Sequence, residues 1–187
     1  MTYISKGAVL KESDRERITV NRCGGEYVLE GRQAEIWLAG RFGVAAAVDK
    51  LAQSDYDCLE HCGLIEVSDA DAGIAGYRLL SNCVICRSAP PPCRALLGRK
   101  ERQVWKWIAG AGFKLRISEL VLLLERNIKP VPALLGEENW HTLVDMLYTT
   151  ETIFDGILDA SMERSPARSA TVDAVLGLLR KGRILLA

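Results

Sequence analysis

The sequence predicts an α+β fold, mostly α-helical with small β wings, in which two units follow each other along the chain. Three observations support this prediction. A proline-rich segment interrupts the chain near its middle, at residues 88–93. Apolar residues at helical spacing fill most of both halves. Short β-prone runs flank those helical segments, and they are too few for a large sheet.

The proline segment sets the predicted domain organisation. Pro90, Pro91 and Pro92 lack backbone donors and have a fixed φ, so neither a helix nor a central strand can continue through them. We therefore predict a linker over residues 88–97. It joins an N-terminal domain of residues 1–87 to a C-terminal domain of residues 98–187.

The N-terminal half begins with a predicted hairpin, whose strands are residues 17–20 and 26–29 around a glycine-containing turn. Three short helices follow, and Ser54 is the expected N-cap of the third, which Gly63 ends. Two strands around a turn then complete the half. The predicted helices cover residues 31–42, 44–53 and 54–62, and the last two strands cover residues 64–67 and 77–80.

The C-terminal half reads as a series of helices with a strand at its end. Ser118 is the expected cap of the second helix, Thr150 opens the fourth, and Gly182 ends the fifth. The strand covers residues 183–186. The first, third and fifth helices cover residues 99–109, 137–148 and 169–181.

Composition narrows the class of protein. Of 187 residues, 49% are hydrophobic and 26% are charged, which is typical of a folded globular chain and not of a disordered one. Even the longest apolar runs, such as residues 120–124, are far shorter than the roughly 20 residues of a membrane span. The N-terminus lacks the apolar core of a signal peptide, so we expect a cytoplasmic protein without membrane contact. In that reducing compartment the six cysteines are expected as thiols or metal ligands.

The net charge of zero hides an asymmetry between the halves. Residues 1–93 carry 10 basic and 13 acidic side chains, whereas residues 94–187 carry 14 basic and 11 acidic ones. Nucleic-acid binding depends on Lys and Arg that neutralise phosphates. The overall charge therefore does not exclude a DNA partner for the C-terminal half.

The segment SATVDAVLGLLRKGRIL, residues 169–185, resembles the recognition helix and first wing strand of winged helix-turn-helix transcription factors. The resemblance implies a transcription regulator that binds duplex DNA as a homodimer, with each half forming one winged-helix unit. The expected DNA-binding residues are Arg164, Arg168, Ser169, Thr171, Arg180, Lys181 and Arg183. The alternative is a solvated helix whose last cations complement the helix dipole.

The N-terminal half, residues 14–67, resembles a PqqD-like winged helix. The residues that carry this resemblance are the hairpin strand Tyr27-Val28-Leu29, the helix start around Trp37, and the helix end at Gly63. It implies an adaptor that binds a peptide or protein at the strand edge formed by Tyr27, Val28 and Leu29. Acidic residues on the third helix, Asp55, Asp57 and Glu60, argue against DNA binding by this half.

The cysteines are the remaining candidate site. Cys83 and Cys86 form a C-x2-C pair, Cys93 follows, and Cys58 and Cys62 share one helix turn with His61. A zinc or iron–sulfur site is geometrically possible if these segments meet. The alternatives are structural thiols that pack as small apolar residues, or redox-responsive ones. No catalytic motif accompanies His61 or His141, so we expect neither an enzyme nor another cofactor.

Overall fold

The computed structural model describes residues 1–14, 17–48, 50–88, 96–111, 114–148 and 155–187. Helices alternate with small antiparallel sheets, which confirms the α+β prediction. The chain divides into an N-terminal unit, Met1–Cys83 with Leu185–Ala187, and a C-terminal unit, Val84–Ile184. Most of the predicted linker, residues 89–95, lies outside the described residues.

In its described residues, the N-terminal unit contains two three-stranded antiparallel sheets and three α-helices. In one sheet β2, β3 and β4 follow each other as a meander; in the other, β1 lies between β5 and β6. The elements are β1 (Thr2–Ser5), β2 (Ala8–Asp14), β3 (Arg17–Arg22), β4 (Gly25–Glu30), α1 (Gly31–Gly40), β5 (Ala45–Ala46), α2 (Gln53–His61), β6 (Ile65–Ser68) and α3 (Ala72–Ser81).

Hydrogen bonds fix α1 on β1 and thereby hold the end of β4 in place. Tyr3 Oη donates to the Ile36 carbonyl at 3.1 Å, and Ser5 Oγ donates to the Trp37 carbonyl at 2.6 Å. The Trp37 indole, only 1% exposed, donates to the Lys6 carbonyl at 3.1 Å. Because α1 follows β4 without a loop, its attachment to β1 also sets the direction in which β4 leaves the meander.

The predicted strand at residues 77–80 is wrong, because this segment lies inside α3. The Asp71 carbonyl accepts the amides of Ile74 and Ala75, which closes the first helical turn. The strand over residues 64–67, present as β6, pairs with β1 through partners such as Tyr3 and Val67. Because β1 already pairs with β6, the segment that follows β6 does not have to form a hairpin with it.

The predicted helix at residues 44–53 is also wrong. Ala45 and Ala46 form β5 beside β1, and a 3-10 turn at Lys50–Ala52 leads into α2. The apolar side chains that suggested a buried helical face, Val48 and Leu51, are exposed. Ser54 lies within α2 and is not its cap, because the preceding turn supplies the helix start. The predicted helix end is confirmed: Gly63 has φ 68°, where glycine carries no Cβ penalty.

The C-terminal unit is a helical assembly around α5, whose residues from Ile117 to Leu124 are all buried. Ser118 is not the cap of α5; the Glu119 carboxylate instead accepts the Arg116 amide at 2.6 Å. The elements are β7 (Ile85–Arg87), α4 (Arg99–Gly110), α5 (Ile117–Glu125), α6 (Trp140–Leu147), α7 (Asp155–Met162) and α8 (Arg168–Arg180). The last strand, β8 (Ile184–Leu186), begins in this unit and ends in the N-terminal one.

Two features of this unit bear on the predicted sites. The helix α8 packs against both α4 and α5. Gly182, with φ 61°, then ends α8 and leads into β8, so the predicted terminal strand is confirmed and pairs with β7. Within the described ranges, no helix combines the length and apolar character that a bilayer crossing requires.

Candidate functional sites

The turn between β3 and β4 determines which backbone groups of β4 are engaged. Cys23 and Gly24 both have positive φ, 51° and 85°, the geometry of a two-residue type I′ hairpin turn. In such a hairpin the residues that flank the turn, Arg22 and Gly25, form a hydrogen-bonded pair. Hydrogen-bonded and non-hydrogen-bonded pairs then alternate along the antiparallel ladder.

This alternation separates the residues of β4 into two sets. Tyr27, opposite Val20, and Leu29, opposite Ile18, exchange hydrogen bonds with β3. Glu26, Val28 and Glu30 lie at the alternate positions, so their N–H and C=O groups are directed away from β3. In the described part of the chain, β3 is the only strand beside β4. The outer edge of β4 therefore presents the backbone donors and acceptors of Glu26 and Val28 to a partner, whereas Glu30 is the N-cap of α1 and its carbonyl belongs to the first turn of that helix.

Side chains follow the same alternation. Val28 is 53% exposed, and Glu26 and Glu30 on either side of it are exposed as well. Leu29 is buried and Tyr27 packs against the core of the N-terminal unit. Of the three residues predicted for peptide binding, Val28 faces outward, whereas Tyr27 and Leu29 hold the strand on its own core.

The opposite edge of the meander is less suitable for an added strand. The pairing of β2 with β3 shifts register twice, between Val9 and Lys11 and between Glu12 and Asp14. Such bulges interrupt the regular row of backbone groups that an incoming strand needs. The β3–β4 ladder runs without a shift from Arg22–Gly25 to Arg17–Glu30. The regular edge of this sheet is therefore β4.

The start of α8, predicted to bind DNA, contains both exposed and engaged residues. Arg164 and Ser169 are exposed. Arg168 is half-buried and its Nη1 donates to the Glu163 carbonyl at 2.7 Å. Thr171 is 0% exposed and its hydroxyl donates to the Ala167 carbonyl at 2.8 Å. Thr171 therefore cannot contact a ligand in this conformation.

The end of α8 is similarly mixed. Arg180 is exposed, but the Lys181 ammonium lies 2.6 Å from the Glu101 carboxylate. Hydrogen bonding to Lys181 lowers the pKa of Glu101 despite partial desolvation. The Arg183 guanidinium lies 6.0 Å from the centre of the Trp105 ring. Asp173, midway along the exposed side of α8, adds a negative charge where phosphates would approach.

Cations that the sequence analysis missed lie on α4. Arg99, Arg102 and Lys106 are exposed and recur at spacings of three and four residues, which places them on one side of the helix. The signal was present in the sequence as this spacing. The net charge of a whole half of the chain does not reveal such a stripe, because acidic residues elsewhere in that half offset the cations of one helix side.

The predicted cysteine ligands are not gathered at one point. Cys58 lies on α2 and Cys62 is the C-cap of that helix. The pKa of Cys62 is raised, mainly by burial and to a smaller extent by the nearby Cys58. Cys83 is buried near the end of α3, where its thiol donates to the Leu79 carbonyl, and Cys86 lies on β7. Cys93 lies outside the described residues. Among those that are described, no three His, Cys, Asp or Glu side chains form a metal-binding group.

Thiol reactivity is expected to differ sharply among these cysteines. Burial raises the pKa of the Cys83 thiol to about 12, so its reactive thiolate is scarce at about pH 8. Cys23 and Cys58 are exposed. Brief alkylation with iodoacetamide, read peptide by peptide by mass spectrometry, should label Cys23 and Cys58 and leave Cys83 unlabelled until the protein is denatured. Equal labelling of Cys83 and Cys58 in the native protein would contradict its buried position.

The chain matches no known protein-family model, no curated protein and no solved structure. Its function is therefore inferred from the chemistry of the β4 edge and of the cationic surfaces.

Proposed function

We propose that this protein is a peptide- or protein-binding adaptor, to which a partner segment binds in extended form as an additional strand on β4. The observation that carries this proposal is the regular outer edge of β4, where Glu26 and Val28 direct their N–H and C=O groups away from β3. Strand addition of this kind takes its affinity from main-chain hydrogen bonds and its specificity from alternate side chains.

The side chains of the β4 edge indicate what the partner strand should contain. Residues directly opposite each other on neighbouring strands interact on the same sheet face, and opposite charges there are favourable. Val28 offers an apolar contact between two carboxylates, those of Glu26 and Glu30. A partner with an apolar residue flanked two positions away by Lys or Arg fits this face. Arg17, which lies 3.2 Å from Glu30, makes the Glu26 end the more negative of the two.

One feature of the N-terminal unit, the sheet that precedes α1, supports the PqqD-like resemblance. A three-stranded meander precedes α1, as the resemblance implies, whereas β5 stands in place of the expected second helix and α3 in place of the second wing strand. The same resemblance suggests that the protein recruits a peptide for another protein. A cytoplasmic location is part of this proposal.

A phage-displayed library of random peptides provides the direct experiment. We expect the full chain, immobilised on a surface, to enrich peptides with alternating apolar and basic residues. Synthetic versions of those peptides should bind in solution, with little dependence on salt compared with a nucleic acid. Failure to enrich any peptide over an unrelated immobilised protein would contradict the proposal.

A second candidate, DNA-binding transcription regulation by a homodimer, is favoured by exposed Arg164 and Ser169 at the start of α8 and exposed Arg180 at its end. In this proposal the C-terminal unit acts as a second winged helix, with α8 as its recognition helix. Replacing Arg164 and Ser169 with alanine should weaken retention of duplex DNA without lowering thermal stability. If this double variant retains duplex DNA as well as the wild type does, α8 is excluded as the DNA-binding helix. This candidate is the weaker of the two, because Thr171 is buried and the exposed Asp173 would repel phosphates.

A further inference from the structure

The exposed side of α4 is strongly cationic. Arg99, Arg102 and Lys106 form a stripe along the helix, which we call the α4 stripe. At the rise of an α-helix the stripe extends over about 10 Å. None of the ion pairs among the described residues involves any of these three side chains, and each is exposed to solvent.

The only acidic residue of α4 does not neutralise this stripe. The Glu101 carboxylate accepts the Gly98 amide at 2.6 Å and binds the Lys181 ammonium, so it faces the end of α8. Gly177 of α8 lies against the same carboxylate, in agreement with Glu101 facing α8. The stripe therefore keeps its full positive charge.

The opposite side of α4 is already occupied by packing. Val104, Trp107 and Ile108 are buried, and α4 packs against α8. A basic amphipathic helix that binds membranes must insert its apolar side into the lipid. Because the apolar side of α4 belongs to the core of the C-terminal unit, a lipid surface is a poor partner for it.

Two further arginines extend the cationic surface from a different element of the fold. Trp105 is half-buried on α4, one helical turn from Arg102. The guanidinium of Arg87, on β7, lies 5.9 Å from the centre of its ring, and that of Arg183 lies 6.0 Å away. Arg87 of β7 and Arg183, which follows α8, thus place two positive charges at the border of the α4 stripe.

We propose that the α4 stripe, together with Arg87 and Arg183, is a binding surface for the phosphate backbone of a nucleic acid. Successive cations along one helix match a chain that carries an anion at every nucleotide. Guanidinium groups bind phosphate oxygens in a planar, two-pronged geometry. This surface differs from the start of α8 and lies in the other unit from β4. Its failure would leave the peptide-binding proposal intact.

Fluorescence anisotropy with labelled nucleic acid tests the proposal in the 187-residue chain. The probes are a short random-sequence duplex and a single strand of the same length, which distinguish the two sources of phosphate. Arg102→Glu and Lys106→Glu should each weaken binding of the preferred probe by about tenfold or more, and should lower its salt dependence. Binding of either probe with these properties supports the proposal.

Lys129→Glu is the matched control, since it makes the same charge change at an exposed lysine outside the α4 stripe. It should retain most of the wild-type affinity, and thermal melting should show that all variants are folded. An equal loss with Lys129→Glu would overturn the proposal, as would the absence of binding to both probes. If Arg164→Ala and Ser169→Ala weaken binding while Arg102→Glu does not, the α4 surface is excluded and α8 is the interface.

Discussion

Val28→Pro is expected to weaken peptide binding strongly while leaving the N-terminal unit folded. Val28 lies opposite Thr19 at a non-hydrogen-bonded position, so its N–H is not used in the β3–β4 ladder. Proline is tolerated at such positions of an edge strand. It removes one donor to the partner strand and places its ring where that strand must approach. We expect at least about a tenfold loss of affinity, equivalent to about 1.4 kcal/mol.

The matched control for this variant is Val28→Thr. Threonine retains the backbone N–H, the β-branched shape and a high preference for strands. Peptides selected on the wild-type chain should therefore bind Val28→Thr within a few-fold of the wild-type affinity, as measured by isothermal titration calorimetry. Equal affinity for Val28→Pro and Val28→Thr would show that peptides bind elsewhere.

Lys6→Ala is expected to produce the largest loss of stability. The Lys6 side chain is only 6% exposed, and its ammonium lies 2.7 Å from the carboxylate of Glu66, itself 19% exposed. Removing the cation leaves a largely buried carboxylate that still accepts a hydrogen bond from the Asn82 amide at 2.8 Å. Loss of one partner of a buried ion pair typically costs about 3 kcal/mol or more. Urea unfolding, followed by NMR signals of the N-terminal unit, measures this change.

Two variants separate burial from the ion pair as such. Arg17→Ala removes an ion pair of the same unit in which Arg17 and Glu30 are more than half exposed, and it should cost less than about 1 kcal/mol. The double variant Lys6→Met with Glu66→Met replaces both charges with apolar groups. It should recover most of the stability that Lys6→Ala loses. A similar small cost for Lys6→Ala and Arg17→Ala would contradict the buried position of Lys6.

Local signals were sufficient for the elements that form from adjacent residues. The β3–β4 hairpin, α2 and α8 were predicted because turn residues, helical spacing and the glycines Gly63 and Gly182 all act within a few residues. The errors arise where distant segments decide the structure. The partner of β6 is β1, some sixty residues earlier, and a short apolar run such as residues 77–80 suits either a strand or a helix.

The candidate sites were predictable to different degrees. Val28 as an exposed edge residue follows from the hairpin alone, because alternation fixes which side chains face outward. The engagement of Lys181 could not be predicted, since its partner Glu101 lies 80 residues away in sequence. The burial of Thr171 likewise depends on how α8 packs against α4 and α5. The α4 stripe, by contrast, is predictable from the sequence, because Arg99, Arg102 and Lys106 recur at helical spacing.

Amide hydrogen exchange along β4, measured by NMR on the isotope-labelled 187-residue chain, tests the availability of this edge most directly. In the protein alone, Tyr27 and Leu29 should exchange slowly and Glu26 and Val28 quickly, because only the first two amides are hydrogen-bonded to β3. A saturating selected peptide should slow exchange at Val28 and leave Tyr27 and Leu29 protected. Slow exchange of Val28 in the free protein, or no change with the peptide bound, would contradict strand addition on β4.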